Sequence, residues 1–292
     1  MPSRNPADTY TGIRAVTVGH TPDMDDAFMF FGIASGVVPT DGFRFEHVVE
    51  DIQALNRRAL HAELDMTAIS AASYPLIAKE YAIVSVGSSV GRSYGPLVIS
   101  REPTSPEELE GKRIAVPGLH TTAYLLLQMA FPRFIPVEKP FEEVPQAVLR
   151  GEVDAGLVIH EWQLTYRDAG LLPVLDLGTW WQQHARLPLP LGLNVIKRSL
   201  GRKTGSRIAA VFRNSILHAM ANQDDALAYA MRYSRGTDSN RSRQFISMYV
   251  NQETLALTPG CRKALRLLFT QAARAGLIER VPRLSVVEPS NS

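Results

Sequence analysis

Cysteine is nearly absent: Cys261 is the single one in 292 residues. An internal disulfide and a cysteine-based zinc cluster are therefore excluded, and the usage suits a reducing compartment. Excess charge is lacking as well. The formal net charge of +2 is too small to imply a nucleic-acid partner. Arg232, Arg235, Arg241 and Arg243 gather around an expected helix–helix connection, but no aromatic platform is interleaved with them, so they read as solvated surface. No apolar run is long enough to span a membrane, the longest being Tyr124 to Phe131. The opening MPSRNPADTYTGIR is polar, expected to be frayed over residues 1–12, and has no apolar signal region. A cytoplasmic protein with no membrane and no nucleic-acid partner is the expectation.

Several chemical signatures are missing too. No G-x-x-x-x-G-K-[ST] and no G-x-G-x-x-G is present to cradle a nucleotide. No G-x-S-x-G elbow appears. His160-Glu161 does not start a zinc-protease motif, because Leu164 stands where the second histidine is required. The histidines are too scattered to make a metal site.

What is present is ordinary globular material, 45% hydrophobic and 21% charged, long enough for two lobes with proper cores. Arg14 to Val18, Phe43 to Val48 and Leu64 to Ser70 read as strands. They alternate with a helix from Asp25 or Asp26 (either able to cap it) to Gly36, an amphipathic helix over Ile52 to Ala62, and a short helix after Ala71. A second α/β run begins with Ser105-Pro106, a cap followed by proline at the first helical position. It continues through strands at Arg113 to Val116 and Ile135 to Glu138 and helices at Thr121 to Phe131 and Pro145 to Arg150. From Ser206 only helices are expected, and the tail after Val281 is expected to be weakly structured.

Extended segments near Pro96 to Ser100 and Leu191 to Ile196 look like crossings between lobes. The predicted division is 1–99 with 195–292 as the first lobe, and 100–194 as the second lobe, carrying Thr122 and His160. The architecture expected is α/β: a two-lobed, type II periplasmic-binding-protein-like chain with a ligand cleft between the lobes and C-terminal helices.

The stretch Gly151 to Tyr166, GEVDAGLVIHEWQLTY, is the most informative. Ala155 to Ile159 is apolar throughout, as a strand covered on both faces would be. It stops at His160, a titratable imidazole at the carboxyl end of a buried parallel strand, where α/β folds place ligand sites. A histidine satisfied by a backbone carbonyl is the alternative reading. Gly118-Leu119-His120-Thr121-Thr122-Ala123 opens a helix whose free N–H groups attract a carboxylate, with two threonine hydroxyls as added donors. Plain N-capping is the alternative there. Ser70, Ser73 and Tyr74 follow a strand and present hydroxyls, or simply enter a helix. Trp180-Trp181 forms a stacking wall for a planar ligand, or packs between elements.

These stretches together resemble the 1,4-dihydroxy-6-naphthoate synthase family of the futalosine route to menaquinone. The matching pieces are Gly91-Arg92 with Gly95-Pro96-Leu97-Val98, AVPGLHTTAYLLL from Ala115 to Leu127, and Gly151-Glu152-Val153 with AGLVIHE through Glu161. DLGTWW from Asp176 to Trp181, LPLPLG from Leu187 to Gly192 and Tyr249-Val250-Asn251 follow in order. The resemblance implies a cytoplasmic, cofactor-independent lyase acting on cyclic dehypoxanthine futalosine, an aromatic carboxylate. It makes His160 the general base and places Ser70, Thr122 and Ala123 in the substrate pocket, to which Thr121, Asp26 and Trp181 are added. Glu161, on the opposite face if the strand continues, is not expected to orient His160.

The first loop differs from the family, which usually reads Ser-Pro-Cys-Pro-Asn-Asp-Thr-Phe. Here Thr21 to Phe28 keeps Pro22, Asp26 and Phe28 but carries carboxylates at Asp23 and Asp25. A non-enzymatic solute-binding protein shares the expected fold, and so does a chorismate dehydratase, which lacks the I-H-E stretch. A relative acting on another aromatic carboxylate also remains open.

Overall fold

The computed structural model describes residues 13–92, 94–131, 133–234 and 238–290. The expected frayed start at 1–12 and Arg235 lie outside the described residues. The first α/β run contains β1 (Arg14–His20), α1 (Met24–Ala34), β2 (Phe43–Val49), α2 (Ile52–Leu60), β3 (Met66–Ser70), α3 (Tyr74–Ile77), β4 (Tyr81–Val84) and β5 (Ser89–Gly91). The second contains β6 (Leu97–Ser100), β7 (Arg113–Val116), α4 (Thr122–Ala130), β8 (Ile135–Glu138), α5 (Val144–Leu149), β9 (Ala155–Val158), α6 (Trp162–Thr165), β10 (Leu172–Asp176) and α7 (Leu177–Ala185). The chain then runs through β11 (Leu189–Lys197), α8 (Arg202–Ala221), α9 (Gln223–Ala230), α10 (Ser239–Tyr249), α11 (Gln252–Leu255), α12 (Pro259–Arg274) and β12 (Val286–Val287).

Two sheets result. The first has the order β12-β4-β11-β3-β1-β2, with β5 pairing β11 beside this path; the second has the order β10-β6-β9-β7-β8. In each, three successive strands run parallel, β2-β1-β3 and β8-β7-β9. The crossing strands β11 and β6 lie antiparallel to their neighbours. All of β6 belongs to the second sheet and all of β11 to the first, so the crossings fall before 97 and before 189, earlier than the predicted 99 and 195.

The carboxyl ends of parallel strands β1, β3, β7 and β9 lead into the loops that will matter. At the crossing itself space is short. A Cβ on Gly178 would meet the carbonyl carbon of Tyr94 at 2.2 Å, so the start of α7 can lie against the 94–96 segment only as glycine.

The helices bury their apolar faces where the sequence pattern says they should. Helices α8, α9 and α10 pack on α1. One apolar cluster ties both sheets together, running from Ile69 and Tyr74 through Ile114, Val116 and Leu126 to Leu265 and Phe269 of α12. Several elements were not expected, among them β5, α6 and α11. Strand β10 and helix α7, with its cap at Asp176, follow the glycine stop at Gly170. Val286–Val287 in the tail adds an edge strand parallel to β4.

Candidate active site

The cavity lies between the two sheets, with about 700 Å³ of space including its mouth. Its apolar walls are Ile52, Ala68 and Ile69, Ile159, Leu191 and Leu193, and Phe245 and Tyr249 of α10. No lysine or arginine lines it among the described residues. The N-terminus of α4 offers positive potential there, with Thr121, Thr122 and Ala123 at the wall.

An acidic cluster lies at the start of α1, and Asp25 and Asp26 of it line the cavity. Asp23, Asp25 and Asp26 surround the start of α1 and are 1%, 7% and 5% exposed, while Glu161 from beyond β9 is 5% exposed. Asp26 Oδ2 accepts 2.7 Å hydrogen bonds from both the Thr21 amide and the Thr21 hydroxyl. Burial nevertheless pushes its carboxyl up to about 6, against the help of those two donors. Burial raises Asp25 well above the carboxylate range, and the negative charges of Asp26, Asp23 and Glu161 add to the effect. Asp25 Oδ2 accepts from Ser89 Oγ at 3.3 Å, and Oδ1 is buried with no hydrogen-bond partner among the described residues. In its protonated form such a group donates as well as accepts.

His160 stands beside this acidic cluster. Strand β9 ends at Val158, and His160 takes a left-handed backbone conformation, φ 55°. That conformation costs a non-glycine residue about 1 kcal/mol or more and is held only where surroundings over-determine it. The imidazole makes an edge contact with Phe141 at 4.9 Å between ring centres. Its Nε2 is 3.3 Å from Asp23 Oδ2. The strand does not continue to Glu161: the chain turns at His160, and Glu161 is buried with its charge acting on Asp25.

The remaining predicted residues are distributed as follows. Ser70 lines the cavity at the end of β3, with its amide donating to Asn56 Oδ1 at 2.8 Å and its hydroxyl accepting from Asn56 Nδ2 at 3.1 Å. The hydroxyl hydrogen of Ser70 stays available to a ligand. The two threonine hydroxyls are not the added donors expected of them. Thr121 caps α4, accepting from the Tyr124 amide and donating to the Gly118 carbonyl. Thr122 donates to the Leu191 carbonyl and accepts from the Ala72 amide. What α4 offers a ligand is its backbone N–H groups at Thr122 and Ala123. Ser73 donates to the His120 carbonyl, and Tyr74 is fully buried away from the cavity.

Trp181 is corrected outright. It is 1% exposed, packs in the core, and donates its indole N–H to the Leu187 and Pro188 carbonyls. An indole satisfied this way is a structural anchor of the return crossing rather than a wall of the cavity. The stacking surfaces sequence reasoning missed are Phe245 and Tyr249. Tyr249 donates to Gln163 Oε1 at 2.9 Å, from a helix 86 positions away. No local signal reveals such a neighbour. Asp23 and Asp25 had the same signal as His160, a polar group just past a buried parallel strand.

Two sheets joined by antiparallel crossings, with a ligand-sized cavity between them, define a periplasmic-binding-protein fold. A ligand-binding component of an ABC-type import system from Staphylococcus aureus shares that fold, with a TM-score of 0.70 at 14% identity over 94% of this chain and 97% of that one. Nearer in sequence is a crystal structure of an Archaeoglobus fulgidus protein, 50% identical with a TM-score of 0.87, covering 90% of this chain and 98% of that one. The profile of a family described as menaquinone biosynthesis matches residues 16–274. A Thermus thermophilus protein named 1,4-dihydroxy-6-naphthoate synthase is 36% identical over 271 residues, 93% of this chain and 98% of that protein. The chain belongs to this menaquinone-biosynthesis family.

Proposed function

We propose that the chain is a 1,4-dihydroxy-6-naphthoate synthase, converting cyclic dehypoxanthine futalosine to 1,4-dihydroxy-6-naphthoate in the cytoplasm. The observation that carries the reading is a strained imidazole, His160, in a cavity that the N-terminus of α4 also lines. A carboxylate-bearing bicyclic ligand fits such a cavity. Its carboxylate meets the Thr122 and Ala123 N–H groups, and its rings meet the apolar walls from Ile69, Leu193, Phe245 and Tyr249.

The chemistry follows from the imidazole. Neutral His160 takes the proton whose loss starts a retro-aldol cleavage. The electron pair moves into the adjacent carbonyl as the carbon–carbon bond breaks, and the three-carbon fragment departs. Aromatisation to the dihydroxynaphthoate supplies the driving force. A positioned base of this kind contributes about 10²–10⁴-fold in rate. A protonated Asp25 can donate to the oxygen on which charge develops, in a site that excludes water.

Anaerobic incubation of the protein with cyclic dehypoxanthine futalosine, followed by mass detection of 1,4-dihydroxy-6-naphthoate, tests the reading. Turnover supports it. A folded protein that binds the compound and releases no naphthoate would leave a binding protein with a base it does not use.

A further inference from the structure

We propose that Asp23 is the positioning residue of His160. Its carboxylate holds the neutral imidazole with the proton on Nε2, which leaves Nδ1 as the atom that accepts the proton from substrate. The assignment rests on the reading of His160 as the base and extends it to a residue that replaces the cysteine usual in this loop of the family.

Three observations converge. First, Asp23 occupies the N-cap position of α1, yet its side chain makes no cap hydrogen bond. Aspartate is among the best cap residues, so forgoing the cap is a loss of stability. At 1% exposure the carboxylate lies inside the protein. Second, His160 Nε2 is buried without a hydrogen-bond partner among the described residues, and Asp23 Oδ2 lies 3.3 Å from it. The pair is close enough for an ion pair but off hydrogen-bond alignment. Catalytic hydrogen bonds in unliganded sites are commonly long or skewed and tighten with substrate. The left-handed backbone at His160 and the Phe141 edge fix where the ring can lie. Third, the other two aspartates accept from neutral donors, although the charge of Asp26 also acts on His160. Asp26 Oδ2 takes both Thr21 donors, and Asp25 Oδ2 takes Ser89.

A carboxylate on Nε2–H does two things. It selects one of the two neutral tautomers, and it stabilises the imidazolium formed when Nδ1 gains a proton, leaving the pair with no net charge. Asp23 precedes α1 beside the first sheet, whereas His160 follows β9 of the second. The pair spans the cleft, so the base is aligned only while the two sheets are held together.

The test compares the parent with Asp23→Ser, which keeps a cap residue for α1 but removes the carboxylate, and with the near-isosteric Asp23→Asn. Histidine-labelled protein is examined by long-range proton–nitrogen NMR, with His160→Asn identifying the His160 signals, and turnover is measured in parallel. The expected result is a neutral His160 protonated on Nε2 in the parent and a substantial Nδ1–H population in both variants. The expected kcat falls by at least about tenfold, toward the roughly 10²–10⁴-fold that a base supplies. KM stays within about threefold, the mark of an interaction that matters in the transition state. A cap-only role predicts an Asp23→Ser protein with parental kcat, and that result overturns the proposal, as does a parent whose neutral His160 carries its proton on Nδ1. A parent that shows the Nε2–H form, shifts tautomer in the variants and yet produces no naphthoate upholds the positioning role and removes the proposed function instead.

Discussion

The Thr122 hydroxyl donates to the Leu191 carbonyl oxygen at 2.7 Å, and the same oxygen atom of Thr122 accepts the Ala72 amide at 3.1 Å. One side chain thus fastens the first turn of α4 to the crossing strand β11 and to the turn after β3. All three segments line the cavity or adjoin it, so Thr122 fixes the width between the α4 N-terminus and the wall that faces it.

Replacing Thr122 by valine keeps the volume and leaves a part-buried amide and a part-buried carbonyl without their partner. Each such loss costs about 1–3 kcal/mol. The expected outcome is a lower urea midpoint with an unchanged m-value, together with a raised KM for a carboxylate substrate. Thr122→Ser, which restores the hydroxyl, should recover most of both. A valine variant as stable as the parent would show that the bridge contributes nothing.

Much of this arrangement is legible in sequence because it is local. The apolar run ending at His160 announces a buried strand and its carboxyl end, and Gly118 to Ala123 announces a helix start. Which partner each polar atom finds is not local. The hydroxyls of Thr121 and Thr122 look available in the sequence, but partners in β11, the turn after β3 and the preceding loop engage them. Trp181 reads equally well as a stacking wall and as core; the carbonyls of Leu187 and Pro188 decide for core. Phe245 and Tyr249 reach the cavity only because α10 packs back across the first lobe, a contact no periodicity encodes. Alternation says nothing about Glu161, because the strand ends at Val158, three residues before it.

The two acidic groups at the start of α1 give the stability a distinctive pH dependence. Burial lifts Asp26 from 3.8 to about 6 and lifts Asp25 further from its usual range. A carboxyl whose folded pKa lies above its unfolded value keeps a proton that the unfolded chain has released. Its contribution is full below about pH 4 and is lost as pH rises through about 6. Asparagine at position 26 accepts the same Thr21 hydrogen bonds and does not titrate. Denaturant midpoints measured from pH 4 to 7 should therefore fall less steeply for Asp26→Asn than for the parent. Parallel curves would contradict the raised pKa of Asp26.

Tyr249→Phe removes the hydroxyl that ties α10 to Gln163 of α6 beside His160. A net hydrogen bond is worth about 0.5–1.5 kcal/mol, which corresponds to a roughly two- to tenfold rise in KM if the link supports the closed cleft. The kcat should stay near the parent value, since the ring still covers the cavity. A fall in kcat with KM unchanged would place the hydroxyl in the chemistry itself.

The central claim is that His160 is the base of this cavity, and single-turnover formation of 1,4-dihydroxy-6-naphthoate tests it most directly. The parent is compared with His160→Asn, chosen because asparagine tolerates the left-handed backbone at φ 55° and keeps the fold. The account predicts product from the parent and a rate lower by about 10²–10⁴-fold in the variant, with cyclic dehypoxanthine futalosine still bound. Equal rates from the two proteins would contradict it.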